Sequence, residues 1–133
     1  MTEMQSRHLS VVIPASAADV YAFAADPENL PTWAAGLAAG VRRDGDALVA
    51  ESPMGEVIVR FAPPNPYGIL DHDVTLPDGM VVANPLRVIG HPDGSEVVFT
   101  VRQRDLTDDE FAADCAAVER DLVALRAAVT GKA

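Results

Sequence analysis

The sequence is poor in several features that particular classes of protein need. Its single cysteine, Cys115, cannot form an internal disulfide or complete a CxxC zinc or redox motif. No apolar run is long enough to cross a bilayer, and residues 1–8 lack the apolar segment of a secretory signal. Basic residues number 10 against 20 acidic ones, and the net charge of −10 disfavours nucleic acid and anionic membranes as partners. These absences predict a cytoplasmic protein with no membrane span and no nucleic-acid partner.

Signatures of bound metals and cofactors are also missing. His8, His72 and His91 lie on separate segments, without an HExxH or HxH pattern. There is no glycine-rich phosphate cradle and no GxSxG nucleophile elbow. We therefore expect neither a metal nor a cofactor.

The composition is that of a folded domain. The chain has 133 residues, of which 49% are hydrophobic and 23% charged, and no repeat or low-complexity linker divides it. We expect a single domain over residues 1–133.

Helical patterns occur near both ends of the chain. Residues 8–14 predict a first strand, after which Ser16 can cap a short helix and residues 29–35 predict a second one. Thr107 and Glu110 form a capping box that begins a long helix ending near Gly131. Its apolar stripe consists of Phe111, Cys115, Val118, Leu122, Leu125 and Val129.

Between these helices the pattern is that of strands. Turn signals at 44–46, 53–55, 63–66, 77–79 and 92–94 separate five to six short alternating segments, which predicts an antiparallel meander. A curved sheet around one long helix buries the helix stripe against its concave face and often leaves a cavity there.

Three segments carry a resemblance to a known group of proteins: VVIPASAADVYAFAADPENLPTW, GILDHDVTLPDG and DDEFAADCAAVERDLVALRAAV. They resemble the SRPBCC superfamily, which includes START-related, polyketide-cyclase-like and birch-pollen-allergen-like proteins. The resemblance spans nearly the whole chain. It implies an α+β helix-grip fold: a curved antiparallel sheet of about seven strands around a long C-terminal helix, with two short helices after the first strand. Fold alone does not assign chemistry.

A polar cluster on the sheet is the best candidate site. A three-residue loop at 77–79 places His72 opposite Asn84, and a two-residue loop at Asp93-Gly94 places Asn84 opposite Gln103. On the concave face the three side chains either satisfy one another or anchor a ligand, and a neutral His72 could also act as a general acid or base. The flanking Asp71 and Asp73 alternate away from His72, so they form no triad with it.

The expected lining of the cavity extends beyond this cluster. The full set of candidate ligand-binding residues is Trp33, Val59, Phe61, Leu70, His72, Val82, Asn84, Leu86, Phe99, Val101, Gln103, Phe111, Cys115, Val118 and Leu122. Trp33 either closes over an apolar guest at the cavity mouth or packs in the core. Glu51 points inward with a three-residue loop at 53–55 and outward with a two-residue loop at Met54-Gly55, and the sequence leaves both open.

Two main functions are compatible with this pattern. The first is binding of a small hydrophobic or aromatic molecule between the sheet and the C-terminal helix. The second, implied by the resemblance, is a polyketide cyclase or dehydratase-like enzyme in which His72 moves a proton and Asn84 or Gln103 stabilises an enolate oxygen. A third, weaker reading is an interaction protein that forms a homodimer.

Overall fold

The computed structural model describes residues 3–37 and 40–131, with no side-chain description for residue 37. The elements in chain order are β1 (Ser6–Ile13), α1 (Ala17–Ala25), α2 (Leu30–Trp33), β2 (Val41–Asp44), β3 (Ala47–Ser52), β4 (Gly55–Phe61), β5 (His72–Thr75), β6 (Val81–Asn84), β7 (Leu86–His91), β8 (Gly94–Arg102) and α3 (Asp108–Thr130). Single 3₁₀ turns at Pro27–Asn29 and Ala35–Leu37 flank α2. The α+β fold with a long C-terminal helix is therefore confirmed.

The strands form two antiparallel ladders that meet at Pro85. One has the order β1-β8-β7 and the other β2-β3-β4-β5-β6. The two ladders are joined in two ways. β6 continues into β7 through Pro85. In addition, the segment before β5 pairs with β7, since Leu70 N–H donates to Leu86 O (2.8 Å) and Val88 N–H donates to Gly68 O (2.9 Å). With β6 and β7 counted as one strand interrupted at Pro85, the described residues match the expected sheet of about seven strands.

The first and the last helix begin and end where the sequence predicts, whereas the second, predicted over 29–35, is shorter, at Leu30–Trp33. Ser16 caps α1 by accepting from Asp19 N–H, and Thr107 with Glu110 forms the capping box of α3. Gly131 ends α3 in the left-handed conformation, with φ of 72°, which glycine adopts without steric cost. Within the described ranges, no helix has the length and apolarity to span a membrane.

The two halves of α3 are buried in different clusters. Leu122 and Leu125, in the C-terminal half, pack in the main core with residues of β1, β3, β4, β7, α1 and α2. In the N-terminal half, Phe111 and Cys115 form a smaller cluster with Val101 of β8. The extensive contacts of α3 are with β1, β8, α1 and α2, so the β5–β6 hairpin is less closely covered by the helix.

The predicted register is right for one hairpin and wrong for the next. His72 pairs with Asn84 and Val74 with Val82, as expected. Between β7 and β8, however, Leu86 pairs with Phe99 rather than Val101, because Pro92 and Asp93 form the turn and Gly94 already belongs to β8. Gly94 has φ of 136°, and a Cβ there would lie 2.5 Å from Ile13 O. A contact with the end of β1 therefore accompanies this register.

Candidate functional site

The predicted polar cluster is only partly assembled. His72 and Asn84 are cross-strand neighbours. Gln103 lies beyond the end of β8, where its Nε2 donates to Leu106 O (3.1 Å) and to Asp108 Oδ1 (2.9 Å). The expectation that Gln103 lies opposite Asn84 is therefore wrong, because the β7–β8 register is shifted by two residues.

The three side chains do not satisfy one another either. Asn84 Nδ2 donates to Val82 O at 3.0 Å, and His72 Nδ1 lies 3.1 Å from Leu70 O. Each polar group is thus bonded within its own segment. Of the predicted cluster, the His72–Asn84 pair remains on the inner face of the sheet.

His72 lies between two aromatic rings. Its ring centroid is 4.8 Å from that of Phe61, in a tilted arrangement, and 5.9 Å from that of Phe99, in an edge-on one. Burial lowers the pKa of His72, although the hydrogen bond to Leu70 O and the charges of Asp71 and Asp73 oppose this shift. His72 is therefore neutral at pH 7. With Nδ1–H assigned as the donor to Leu70 O, Nε2 keeps its lone pair.

Asp71 and His72 together bridge a gap in the sheet. Leu70 N–H reaches Leu86 O, but the reciprocal bond is replaced: Leu86 N–H donates to Asp71 Oδ1 at 2.9 Å, and Leu70 O receives His72 Nδ1. Asp71 also accepts two hydrogen bonds from Arg87, at 2.8 and 2.7 Å, and these lower the pKa of Asp71. The local spacing of these residues could not predict this role, because it depends on the break in the ladder beside Pro85.

We expect His72 to make stability depend on pH. Its pKa is lower in the folded than in the unfolded chain, where it lies near ~6.5, so the unfolded chain binds more protons between the two values. The contribution is fully present above the unfolded pKa and decreases as pH falls through this window. Urea unfolding of the wild type and His72→Phe at pH 5 to 8 measures it. The difference in the free energy of unfolding between the two proteins should be constant near pH 8. Below about pH 6.5 the wild type should lose stability relative to His72→Phe. A difference that does not change with pH would contradict the lowered pKa of His72.

An open groove lies between the β5–β6 hairpin and the N-terminal half of α3. Its volume is about 580 Å³, within the range of small-molecule sites. The inner-face residues that line it are Val74, Leu76, Val82, Asn84, Val101 and Leu106. Met54, Arg102 and Arg104 also contribute to its wall, and Ala113 lines it from the helix. We call this site the hairpin groove.

Two further depressions lie near His72. One of about 530 Å³, between α1, the β2–β3 turn and residues 61–64, includes Phe61 and Leu70 in its wall. The other, of about 370 Å³, has the outer-face residues Arg60, Asp71 and Asp73 in its wall together with Phe61, His72 and Asn84. Because His72 pairs with Asn84 across the strands, the hairpin groove and the histidine still occupy neighbouring parts of the inner face.

Many predicted lining residues are instead part of the packed interior. Trp33 is 4% exposed in the main core, which favours its core-packing reading, although its Nε1 has no hydrogen-bond partner among the described residues. The other members of the predicted set that pack in or against the two hydrophobic clusters are Val59, Phe61, Leu70, Leu86, Phe99, Val101, Phe111, Cys115, Val118 and Leu122. Side chains therefore fill the space beneath the C-terminal half of α3, and the open volume lies towards the β5–β6 hairpin.

The turn after β3 differs from both turns expected from the sequence, and it determines the orientation of Glu51. Pro53 and Met54 form a two-residue loop, with Ser52 paired to Gly55 and Glu51 to Glu56. Glu51 is exposed on the outer face. It therefore supplies no carboxylate to the inner face.

These features define a protein of the helix-grip class with an aliphatic groove beside its long helix. The chain belongs to the polyketide cyclase/dehydrase and lipid transport family, whose model matches residues 4–130. This confirms the resemblance to the SRPBCC superfamily. A search of curated proteins finds no significant match to this sequence.

Solved structures support the fold assignment. The Aha1 dimer from Colwellia psychrerythraea has a TM-score of 0.76 and 16% identity, with 95% of this chain and 96% of that chain covered. Ara h 8.0201 has a TM-score of 0.69 and 11% identity, with coverage of 98% and 100%. DynU16, a protein of the dynemicin biosynthetic locus, has a TM-score of 0.74 and 16% identity, with 96% of this chain covering 48% of that chain. At these identities the likeness concerns the fold.

Proposed function

We propose that the protein binds a small apolar molecule in the hairpin groove. The observation that carries this proposal is the groove itself: an open volume of about 580 Å³ next to the half of α3 that is less embedded in the main core. Its inner wall is mainly aliphatic, with Asn84 as a polar member. Burial of apolar ligand surface would supply the affinity, at about 25 cal/mol per Å², and the amide of Asn84 would orient the ligand.

A blocking substitution on the helix tests the proposal. Ala113 lines the groove from the exposed side of α3, so Ala113→Trp introduces a bulky ring into the groove without replacing a core residue. We expect it to weaken binding of the neutral probe N-phenyl-1-naphthylamine by on the order of tenfold or more, since the ring displaces the ligand from apolar surface. Probe fluorescence titration measures the dissociation constant.

The neighbouring position provides the matched control. Ala112 is also exposed on α3 but does not line the groove. Ala112→Trp should therefore bind the probe as the wild type does. Equal binding by all three proteins, or no binding by the wild type, would refute the groove as a ligand site.

The second candidate function is proton transfer by His72 in an enzyme of the polyketide cyclase or dehydratase type. What favours it is the neutral ring with Nδ1 held at Leu70 O and the Nε2 lone pair available as a base. Against it, Asp71 binds Arg87 and Leu86 and so does not orient the imidazole. The His72→Phe variant separates the two functions, because a binding protein keeps its probe affinity while an enzyme loses turnover.

A further inference from the structure

Arg104 is an incompletely paired cation at the wall of the hairpin groove. Its side chain is 27% exposed, and the nearest carboxylate oxygen, Asp114 Oδ2, lies 3.7 Å from Nη2, which is too far for a good hydrogen bond. Within the described part of the chain its guanidinium makes no hydrogen bond. A guanidinium has five N–H donors, so this distant ion pair leaves Arg104 able to donate to a further acceptor.

The backbone holds Arg104 in a conformation that is costly for an arginine. Its φ is 55°, and no other non-glycine residue within the described ranges has a positive φ. A residue with a side chain is roughly 1–2 kcal/mol less stable in this left-handed conformation than in the right-handed one. The turn is secured on both sides, because Leu106 N–H donates to Gln103 O and the Gln103 side chain bonds Leu106 O and Asp108. The fold therefore fixes the backbone from which the Arg104 side chain enters the wall of the groove.

The other charged groups of the groove are already engaged or more exposed. Arg102 Nη1 donates to Ser6 Oγ at 2.8 Å. Glu110 accepts from Thr107 N–H in the capping box of α3. Asp114 has a side chain 49% exposed, so water solvates it more readily than it does Arg104. Arg104 is thus the groove cation that retains capacity for a new anionic partner.

We propose that the ligand of the hairpin groove is an aliphatic chain with an anionic head group, a carboxylate or a phosphate, which binds Arg104. This inference rests on the proposed function and specifies its ligand. Both head groups accept two parallel N–H bonds from a guanidinium. The chain would lie along Val74, Val82 and Val101, in a wall that has no aromatic residue among those described. Salt screens the acidic residues that lie beyond roughly 8–10 Å of the groove. Asp114 lies within that range, and its half-exposed carboxylate would have to give up its position near Arg104 to the head group.

Calorimetric titration with three probes of equal chain length tests the proposal: dodecanoate, dodecyl phosphate and 1-dodecanol, each below its critical micelle concentration. We expect one or both anions to bind the wild type about tenfold or more tightly than the alcohol. Arg104→Gln should reduce the ratio of anion affinity to alcohol affinity from about tenfold or more to about one. The anion with the higher affinity shows whether the head group is a carboxylate or a phosphate.

A matched variant controls for the change in net charge. Arg126→Gln alters an exposed arginine in the C-terminal half of α3 that does not line the groove, and it should preserve the preference for anions. If the alcohol binds as tightly as both anions, or if the two variants lose anion affinity equally, the anionic head group is excluded while the groove remains a binding site. If none of the three binds the wild type but N-phenyl-1-naphthylamine does, this inference fails and the proposed function stands. If that probe does not bind either, both fail.

Discussion

Gly68→Ala is expected to lower the free energy of unfolding by at least about 3 kcal/mol. Gly68 has φ of 74°, and a Cβ at this position would overlap the carbonyl oxygen of Val88, a backbone atom that cannot rotate away. Relief requires the loop to separate from β7, which breaks the hydrogen bond from Val88 N–H to Gly68 O. The loss would be a large part of the 5–15 kcal/mol typical of a domain. Urea unfolding with linear extrapolation measures it.

Gly45→Ala separates the conformational cost from the steric one. Gly45 has φ of 63° but no described atom within 4 Å of the added Cβ. This variant should therefore lose only roughly 1–2 kcal/mol, the cost of placing a side chain in the left-handed region. Similar losses in both variants would mean that the close approach of residue 68 to β7 has little energetic effect.

Leu125→Ala is expected to destabilise the protein by about 2–5 kcal/mol. Leu125 is fully buried in the main core, where the C-terminal half of α3 packs with β1, α1 and α2. Removal of its side chain loses apolar burial and leaves a cavity that the surrounding structure fills only in part. Thermal or urea unfolding of the purified variant gives the magnitude.

The control for this prediction lies two residues away on the same helix. Val123 is 47% exposed, and Val123→Ala should change stability by no more than about 0.5 kcal/mol. If Leu125→Ala matched Val123→Ala, the C-terminal half of α3 would not be an essential part of the core.

The DHD segment shows why chemically suggestive residues need their structural context. Asp71 and His72 replace one backbone hydrogen bond of the interrupted ladder, and Asp71 also binds Arg87. Their spacing on a strand correctly indicated opposite faces. It could not reveal that they share a structural function, because that function arises where residue 70 pairs with residue 86 and Leu86 N–H donates to Asp71 instead of to Leu70 O.

Much of the fold follows from local signals that the sequence carries. The capping box at Thr107 and Glu110, the helix-ending Gly131 and the turn at 77–79 each act over a few residues. Their geometry depends little on the rest of the chain. For this reason the long helix, the β5–β6 register and the pairing of His72 with Asn84 were predictable from the sequence.

Long-range contacts decided the candidate site. Gly94 lies against the end of β1, the β7–β8 register differs from that expected of its turn residues, and Gln103 is consequently placed beside α3 instead of Asn84. Arg104 faces the groove through a backbone conformation that its residue type does not favour. The sequence by itself determined the family of fold and the apolar character of its inner face. Only the tertiary structure decided where that face stays open and which charge borders it, because both depend on contacts between segments far apart in the chain.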